Sequence, residues 1–218
     1  MMKQLSLTVS LVLLPLLCGA QILNASGRTL EELLPDPACE HYWSEGDLNK
    51  DGIRDLALLA TTAECSTIEV DEEGDTLRMS QPVFAVYFGT PEGYYNRWRE
   101  YPKMMPISDN YISNEISLEI TDRGVLRISV ETFASMGGWS SYDDTYTYRF
   151  QDGDFFLIGH DSRELARNTG KMVTTSYNFI TRKKQTITDN AFEEDFKPTE
   201  KWEKLPAEPL QRMGEPLG

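Results

Sequence analysis

Three carboxylates, one amide and a glycine fall within the stretch Asp47-Leu48-Asn49-Lys50-Asp51-Gly52-Ile53-Arg54-Asp55. That pattern suits oxygen-ligand chemistry. Calcium takes about six to eight oxygens in a flexible shell. Asp47, Asn49 and Asp51 alternate, so three side-chain oxygens can converge on one side of a tight turn. Gly52 supplies the freedom to reverse direction. Ile53 is apolar and can offer only its main-chain carbonyl, and Asp55 returns a further carboxylate. The expected metal ligands are Asp47, Asn49, Asp51, Ile53 and Asp55, and the expected ion is Ca2+. Three aspartates against one divalent cation leave a net charge of about −1, typical of such a site. An EF-hand would carry a bidentate glutamate at loop position 12, and that position here is Leu58. The run Leu56-Ala57-Leu58-Leu59-Ala60 leads instead into a buried strand. The plainer alternative is an Asp/Asn/Gly turn that needs no ion.

Gly46 to Leu56, written Gly-Asp-Leu-Asn-Lys-Asp-Gly-Ile-Arg-Asp-Leu, resembles the calcium loop of FG-GAP and VCBS repeats. Those repeats form the blades of integrin-α-type β-propellers. Downstream, Val86-Tyr87-Phe88-Gly89-Thr90-Pro91-Glu92-Gly93-Tyr94 resembles the strand and glycine turn that close such a repeat. The resemblance covers residues 46–95, with an acidic insertion around Asp71–Asp75. It implies a calcium loop and brings no activity with it. A propeller needs about four blades or more. No second Asp-x-Asn-x-Asp-Gly occurs, so a full propeller is not expected. The layout also resembles small secreted bacterial proteins that carry one such loop.

Other reactive groups are sparse. The two histidines are His41 and His160, and no HExxH motif occurs. Leu157-Ile158-Gly159-His160-Asp161-Ser162 is not a nucleophile elbow. His160 beside Asp161 suggests half of a dyad. Because it directly follows an apolar strand, a surface-turn histidine is the expected reading. The many carboxylates leave open a pair placed for glycoside hydrolysis. Two aromatic segments are better candidates for binding: Tyr94–Trp98, and Ser135–Tyr142 with its Gly137-Gly138 pair. Trp98 and Trp139 are their candidate ligand-binding residues; the alternative is that these rings fold back into the core. Cys39 and Cys65 are expected to form a disulfide, which would enclose the calcium loop and add about 3–4 kcal/mol by chain entropy.

The elements that must position these residues read as follows. Residues 1–20 form an expected signal peptide: Lys3, an apolar core from Leu5 to Leu17, and the small-residue exit Cys18-Gly19-Ala20. Cleavage after Ala20 makes the protein secreted or periplasmic. It leaves 218 − 20 = 198 residues and takes away Lys3 with no acidic residue, moving the formal charge from −14 to −15. Such acidity disfavours nucleic acid and anionic membranes as partners, and no later apolar run is long enough to span a membrane. Residues 21–190 read as a single β-rich domain. A short N-terminal helix is expected within Ser26–Leu34, with Thr29 and Glu32 as a capping box. Val83–Phe88 reads as a strand buried on both faces. Ile116/Leu118/Ile120, Leu126/Ile128/Val130 and Tyr146/Tyr148/Phe150 alternate as half-buried strands. Asp122-Arg123-Gly124 and Asp152-Gly153 read as hairpin turns. The fold class is therefore mainly β, an antiparallel meander forming one curled sheet or two packed sheets. Residues 191–218 read as a Pro- and charge-rich tail with a helical turn near Glu200–Lys204 and disordered last residues. The expected function is a secreted, calcium-stabilised, non-enzymatic β domain that binds a protein or glycan partner. A secreted polysaccharide hydrolase and a structural subunit of a cell-envelope complex are the alternatives. Intact-mass measurement of exported protein should find a chain that begins at Gln21; a lipid-modified Cys18 terminus would contradict this reading.

Overall fold

The computed structural model describes residues 22–36, 39–62, 66–70, 76–136 and 138–217. The expected signal peptide, Cys65 and the acidic insertion lie outside those residues. The chain enters through a short strand β1 (Ser26–Gly27) and a one-turn helix α1 (Leu30–Leu33). Thr29 caps that helix, its Oγ1 accepting from Glu32 N at 3.4 Å, while Glu32 reaches back to Arg28 N at 2.7 Å. Then β2 (Glu40–Gly46) and β3 (Asp55–Thr61) flank the 47–54 loop. A separate ribbon pairs β4 (Ser66–Val70) with β5 (Thr76–Ser80). Next come β6 (Val83–Gly89) and β7 (Tyr95–Tyr101). A long meander follows: β8 (Ile112–Ile120), β9 (Val125–Ala134), β10 (Ser140–Gln151), β11 (Asp154–Ala166), β12 (Lys171–Asn178), β13 (Lys183–Asn190) and β14 (Thr199–Lys204).

The first sheet has the order β1-β7-β6-β3-β2 and the second β14-β13-β12-β11-β10-β9-β8, with antiparallel pairing throughout. The second sheet curls into a half-barrel, and neither sheet belongs to a closed barrel or propeller. No helix among the described residues is long and apolar enough to cross a membrane.

The continuous apolar runs are explained by burial on two sides. One face of β3 and β6 presents Ala57, Leu59, Phe84 and Val86 to the second sheet, where Leu126, Ile128, Val130, Tyr148 and Phe155 meet them. The other face presents Leu56, Leu58, Val83, Ala85 and Tyr87 to Leu23, Leu33 and Leu34 of the N-terminal segment. A strand covered on both faces has no wet side, so alternation disappears. The N-terminal segment is clamped by a carboxylate. Glu100 accepts from Ile22 N at 3.0 Å and Leu23 N at 2.9 Å, and it pairs with Arg97 at 2.8 Å in a largely buried ion pair. β8, β9 and β10 alternate because only their inner face is covered.

The tail departs from expectation. Residues 199–204 form an edge strand on β13 rather than a helical turn, because β13 offers an open row of main-chain groups. The described end of the tail is not loose: Met213 and Leu217 are buried in the core. Met213 N donates to Phe155 O at 2.9 Å, and Leu217 N to Met104 O at 2.8 Å.

The two sheets meet at the loop end. Ile120 N of β8 donates to Ser44 Oγ of β2 at 2.8 Å. The β8–β9 turn places Gly124 at φ +69 with its α-carbon against the Asp47 carbonyl, where a Cβ would stand 2.4 Å from that oxygen. Gly93 has a similar φ of +77, yet a Cβ there would meet nothing within 4 Å. Gly93→Ala should therefore cost only the backbone strain of about 1 kcal/mol, whereas Gly124→Ala should cost about 2–4 kcal/mol because it also displaces the loop. Urea unfolding of the two variants checks this; equal losses would contradict the close sheet–loop contact.

Candidate functional site

The 47–55 loop is organised from inside by one carboxylate. Asp55 opens β3 with no solvent exposure. Its Oδ2 accepts from Leu48 N at 2.8 Å and Asn49 N at 3.2 Å, and its Oδ1 accepts from Gly89 N at 3.0 Å. One side chain thus joins the start of the loop, its end and the last residue of β6. Burial pushes the Asp55 carboxyl above the ordinary range. The amides of Gly89, Leu48 and Asn49 pull it back, and the nearby Asp51 charge adds to the rise. Leu48 anchors the same turn by burying its side chain in the core.

The solvent side of the loop gathers oxygens. Asp51 N donates to both Asp47 Oδ1 at 3.2 Å and Asn49 Oδ1 at 3.0 Å, so those two oxygens converge on one amide. Gly52 N donates to Asp47 Oδ2 at 2.9 Å, and Ile53 N to Asp51 Oδ1 at 2.8 Å. Asn49 Nδ2 donates to Asp51 Oδ2 at 3.0 Å. Lys50 and Gly52 take positive φ, 64° and 85°, to make this reversal. The loop brings Asp47, Asn49 and Asp51 together and sets Asp55 beneath them, bonded to the main chain. Among the described residues no three carboxylate, His or Cys side chains cluster as a ready ion cage. A cation here would draw on the Asn49 amide and main-chain carbonyls as well as on carboxylates, a donor set that fits calcium rather than a softer metal. Beside the loop the Tyr95 hydroxyl donates to Glu45 Oε1 at 3.0 Å. Burial and that carboxylate push it up to about 12.

The other sequence candidates separate. Trp98 packs in an aromatic cluster, with ring centroids 5.9 Å from Phe88, 5.9 Å from Phe150 and 5.3 Å from Phe155. Arg99 covers it with a guanidinium 4.3 Å from the ring. Trp139 is 69% exposed at the β9–β10 end of the second sheet. Cys39 is half-buried and makes no disulfide with a described residue; its expected partner, Cys65, lies outside them. The carboxylates Glu115 and Glu131 face each other across β8–β9, both exposed, in a cleft that also takes in Glu40.

His160 is not a turn residue. It sits inside β11, and its partner is not the adjacent Asp161. Nε2 bonds Asp144 Oδ1 of β10 at 2.7 Å, with both side chains about one-fifth exposed. Tyr146 stacks on the imidazole at 4.4 Å and Tyr177 lies parallel at 5.7 Å. Ser162 lies on the same face two residues on, with no hydrogen bond to His160. The β10–β11 register makes the pair, with a bulge between Thr147 and Tyr148. Only the strand-to-strand register could have revealed it, because sixteen positions separate the two residues.

No family model, curated protein or solved structure matches this chain.

Removing the Asp55 carboxylate strands three amides at once. Asp55→Ala should destabilise the protein by about 3–5 kcal/mol in urea unfolding without added calcium, since each buried unpaired N–H costs about 1–3 kcal/mol. A loss under 1 kcal/mol would show that the loop holds itself without this side chain.

Proposed function

We propose that this chain is an exported, calcium-stabilised β domain that binds a protein or glycan partner without catalysis. The observation that carries the calcium reading is the convergence of the Asp47 and Asn49 oxygens on the single amide of Asp51. Carboxylate and amide oxygens held that close repel one another, and a hard cation relieves the repulsion better than one N–H. Asp47, Asn49 and Asp51 hold the ion with their side chains and Ile53 with its carbonyl. Asp55 positions this set from below and adds a carboxylate charge. The ion acts on structure by fixing the exposed half of a loop whose buried half is already fixed. The resemblance to FG-GAP and VCBS loops supports the same reading.

The partner reading rests on exposed aromatic and Met side chains. Phe133, Met136, Trp139 and Tyr142 are 45%, 64%, 69% and 41% exposed around the β9–β10 end of the second sheet. Tyr111 adds to them, its carbonyl accepting from Ser135 N at 2.8 Å. Phe133 and Tyr142 stand on opposite faces of the sheet, in register with Ser141 and Thr132, so the exposed group centres on Trp139, whose amphipathic ring suits stacking on sugars or anchoring a protein.

Extracellular calcium modules bind at roughly 10⁻⁴–10⁻³ M. At about 1 mM calcium, mass action then adds about 0.4–1.4 kcal/mol, a rise of about 1–5 °C in melting temperature for a chain of this size. Magnesium should add much less, because it demands tight octahedral geometry. Asp51→Ala should keep the fold and lose the calcium response. Calorimetry and thermal melting with calcium, magnesium and chelator test this. A melting temperature indifferent to both calcium and chelator would reduce the loop to a turn.

A further inference from the structure

The second sheet has seven strands and the first has five, so the inner face of β11–β13 extends past the sheet that covers β8–β10. The C-terminal tail lies over that extension as a strap pinned at two points. Leu205 N donates to Arg182 O at 2.9 Å, and Leu157 N donates to Gln211 O at 2.9 Å. Pro206 and Pro209 lie between those points and have no N–H with which to zip onto the sheet. Residues 206–210 therefore arch, and a cavity of about 430 Å³ remains beneath them. That volume falls within the range of small-molecule sites, about 300–1,000 Å³.

The cavity has two apolar walls, a polar end at His160, and further polar groups, Arg182, Glu208 and Gln211, in its lining. Tyr177 and Phe179, parallel with centroids 6.0 Å apart, form the floor together with Leu157. Leu205, Pro206, Pro209 and Leu210 form the roof. His160 with Ser162 and Thr175 makes the polar end. The imidazole is covered on both faces by Tyr146 and Tyr177, and one nitrogen is taken by Asp144. A carboxylate only accepts, so Nε2 carries a proton, and in the neutral ring Nδ1 is then an acceptor. With Nε2 bonded and both faces covered, Nδ1 is the ring nitrogen left to address a ligand. The lining carries one cation, Arg182, and one carboxylate, Glu208, and Asp144 behind the imidazole adds a further negative charge, so the lining has no surplus cation for an anion.

We propose that this strapped cavity is a binding site for a neutral, planar aromatic molecule of one or two fused rings that carries a hydroxyl or N–H donor. The rings slide between the Tyr177/Phe179 floor and the proline–leucine roof, and the donor bonds His160 Nδ1. Asp144 holds the imidazole in the acceptor tautomer and orientation. The two prolines keep the roof from collapsing onto the floor, so the site is formed before the ligand arrives. This site shares no lining residue with the 47–55 loop and does not depend on calcium.

The test uses the full-length exported protein and three probes, 2-naphthol, 2-methoxynaphthalene and 2-naphthoate, titrated by fluorescence or calorimetry. 2-Naphthol should saturate one site with a Kd on the order of 10–100 μM. 2-Methoxynaphthalene, which lacks the donor, should bind about tenfold more weakly, and 2-naphthoate should also bind more weakly. His160→Phe keeps the ring stack and removes the acceptor, so it should erase the difference between naphthol and its methyl ether. Thr175→Trp, on a half-exposed strand position, should fill the cavity and abolish binding with little change in melting temperature. The proposal is overturned if 2-naphthol does not saturate by about 1 mM, if its methyl ether binds equally well, if naphthoate binds most tightly, or if folded Thr175→Trp still binds.

Discussion

The Asp55 carboxylate is the contact on which the rest of this fold depends. It is fully buried at the end of the loop, and its partners are three main-chain amides, two from the start of the loop and one from the last residue of β6. Neutral groups satisfy it, so no second charge has to be taken out of water. Hydrogen bonds to an ionised acceptor are worth about twice neutral ones, and here they join segments more than thirty residues apart. β3 can start in register beside β6 only because this side chain fixes where the loop ends. The β8–β9 turn then rests on the Asp47 carbonyl through Gly124, so the packing of the second sheet on the first refers back to the same loop.

The mismatch between five and seven strands shapes the remainder. A sheet that outgrows its partner leaves an inner face for something else to cover, and the C-terminal tail does so. It first adds β14 to the open edge, then doubles back to place Met213 and Leu217 in the core. Where the tail crosses the β11–β12 face it is bonded only at its two ends. The aromatic and histidine side chains of that face therefore line a cavity instead of a packed interface.

Much of the architecture was legible from local chemistry. Alternation identified β8, β9 and β10 because each has one wet face. Asp152-Gly153, at φ 51° and 76°, and the turn at Gly124 were readable because few residues accept such angles. Leu56–Ala60 was readable as a buried strand from its unbroken apolarity. The loop itself was legible, but the role of Asp55 in it was not. Spacing alone cannot tell a carboxylate that faces an ion from one that faces amides, and Gly89 lies far along the chain. The His160–Asp144 pair was invisible for a similar reason: it depends on hairpin register across a bulge, and the adjacent Asp161 was the misleading neighbour. Glu200–Lys204 read as a helical turn, since Lys and Glu favour helices in isolation. An unfilled sheet edge outweighs so weak a preference in a short segment. Trp98 and Trp139 share a residue type, and only their surroundings separate a core ring from an exposed one.

The central claim is that Asp55 fixes the buried half of the loop on its own, while calcium orders the exposed half. Residue-resolved amide hydrogen exchange, with and without calcium, tests it most directly. The amides of Leu48, Asn49 and Gly89 should exchange only through global unfolding, whether or not the ion is present. Those of Asp51, Gly52 and Ile53 should exchange through local opening in chelator and slow markedly when calcium is added. Fast exchange at Leu48 and Gly89 without calcium would contradict the account, and so would an exposed half whose exchange ignores the ion.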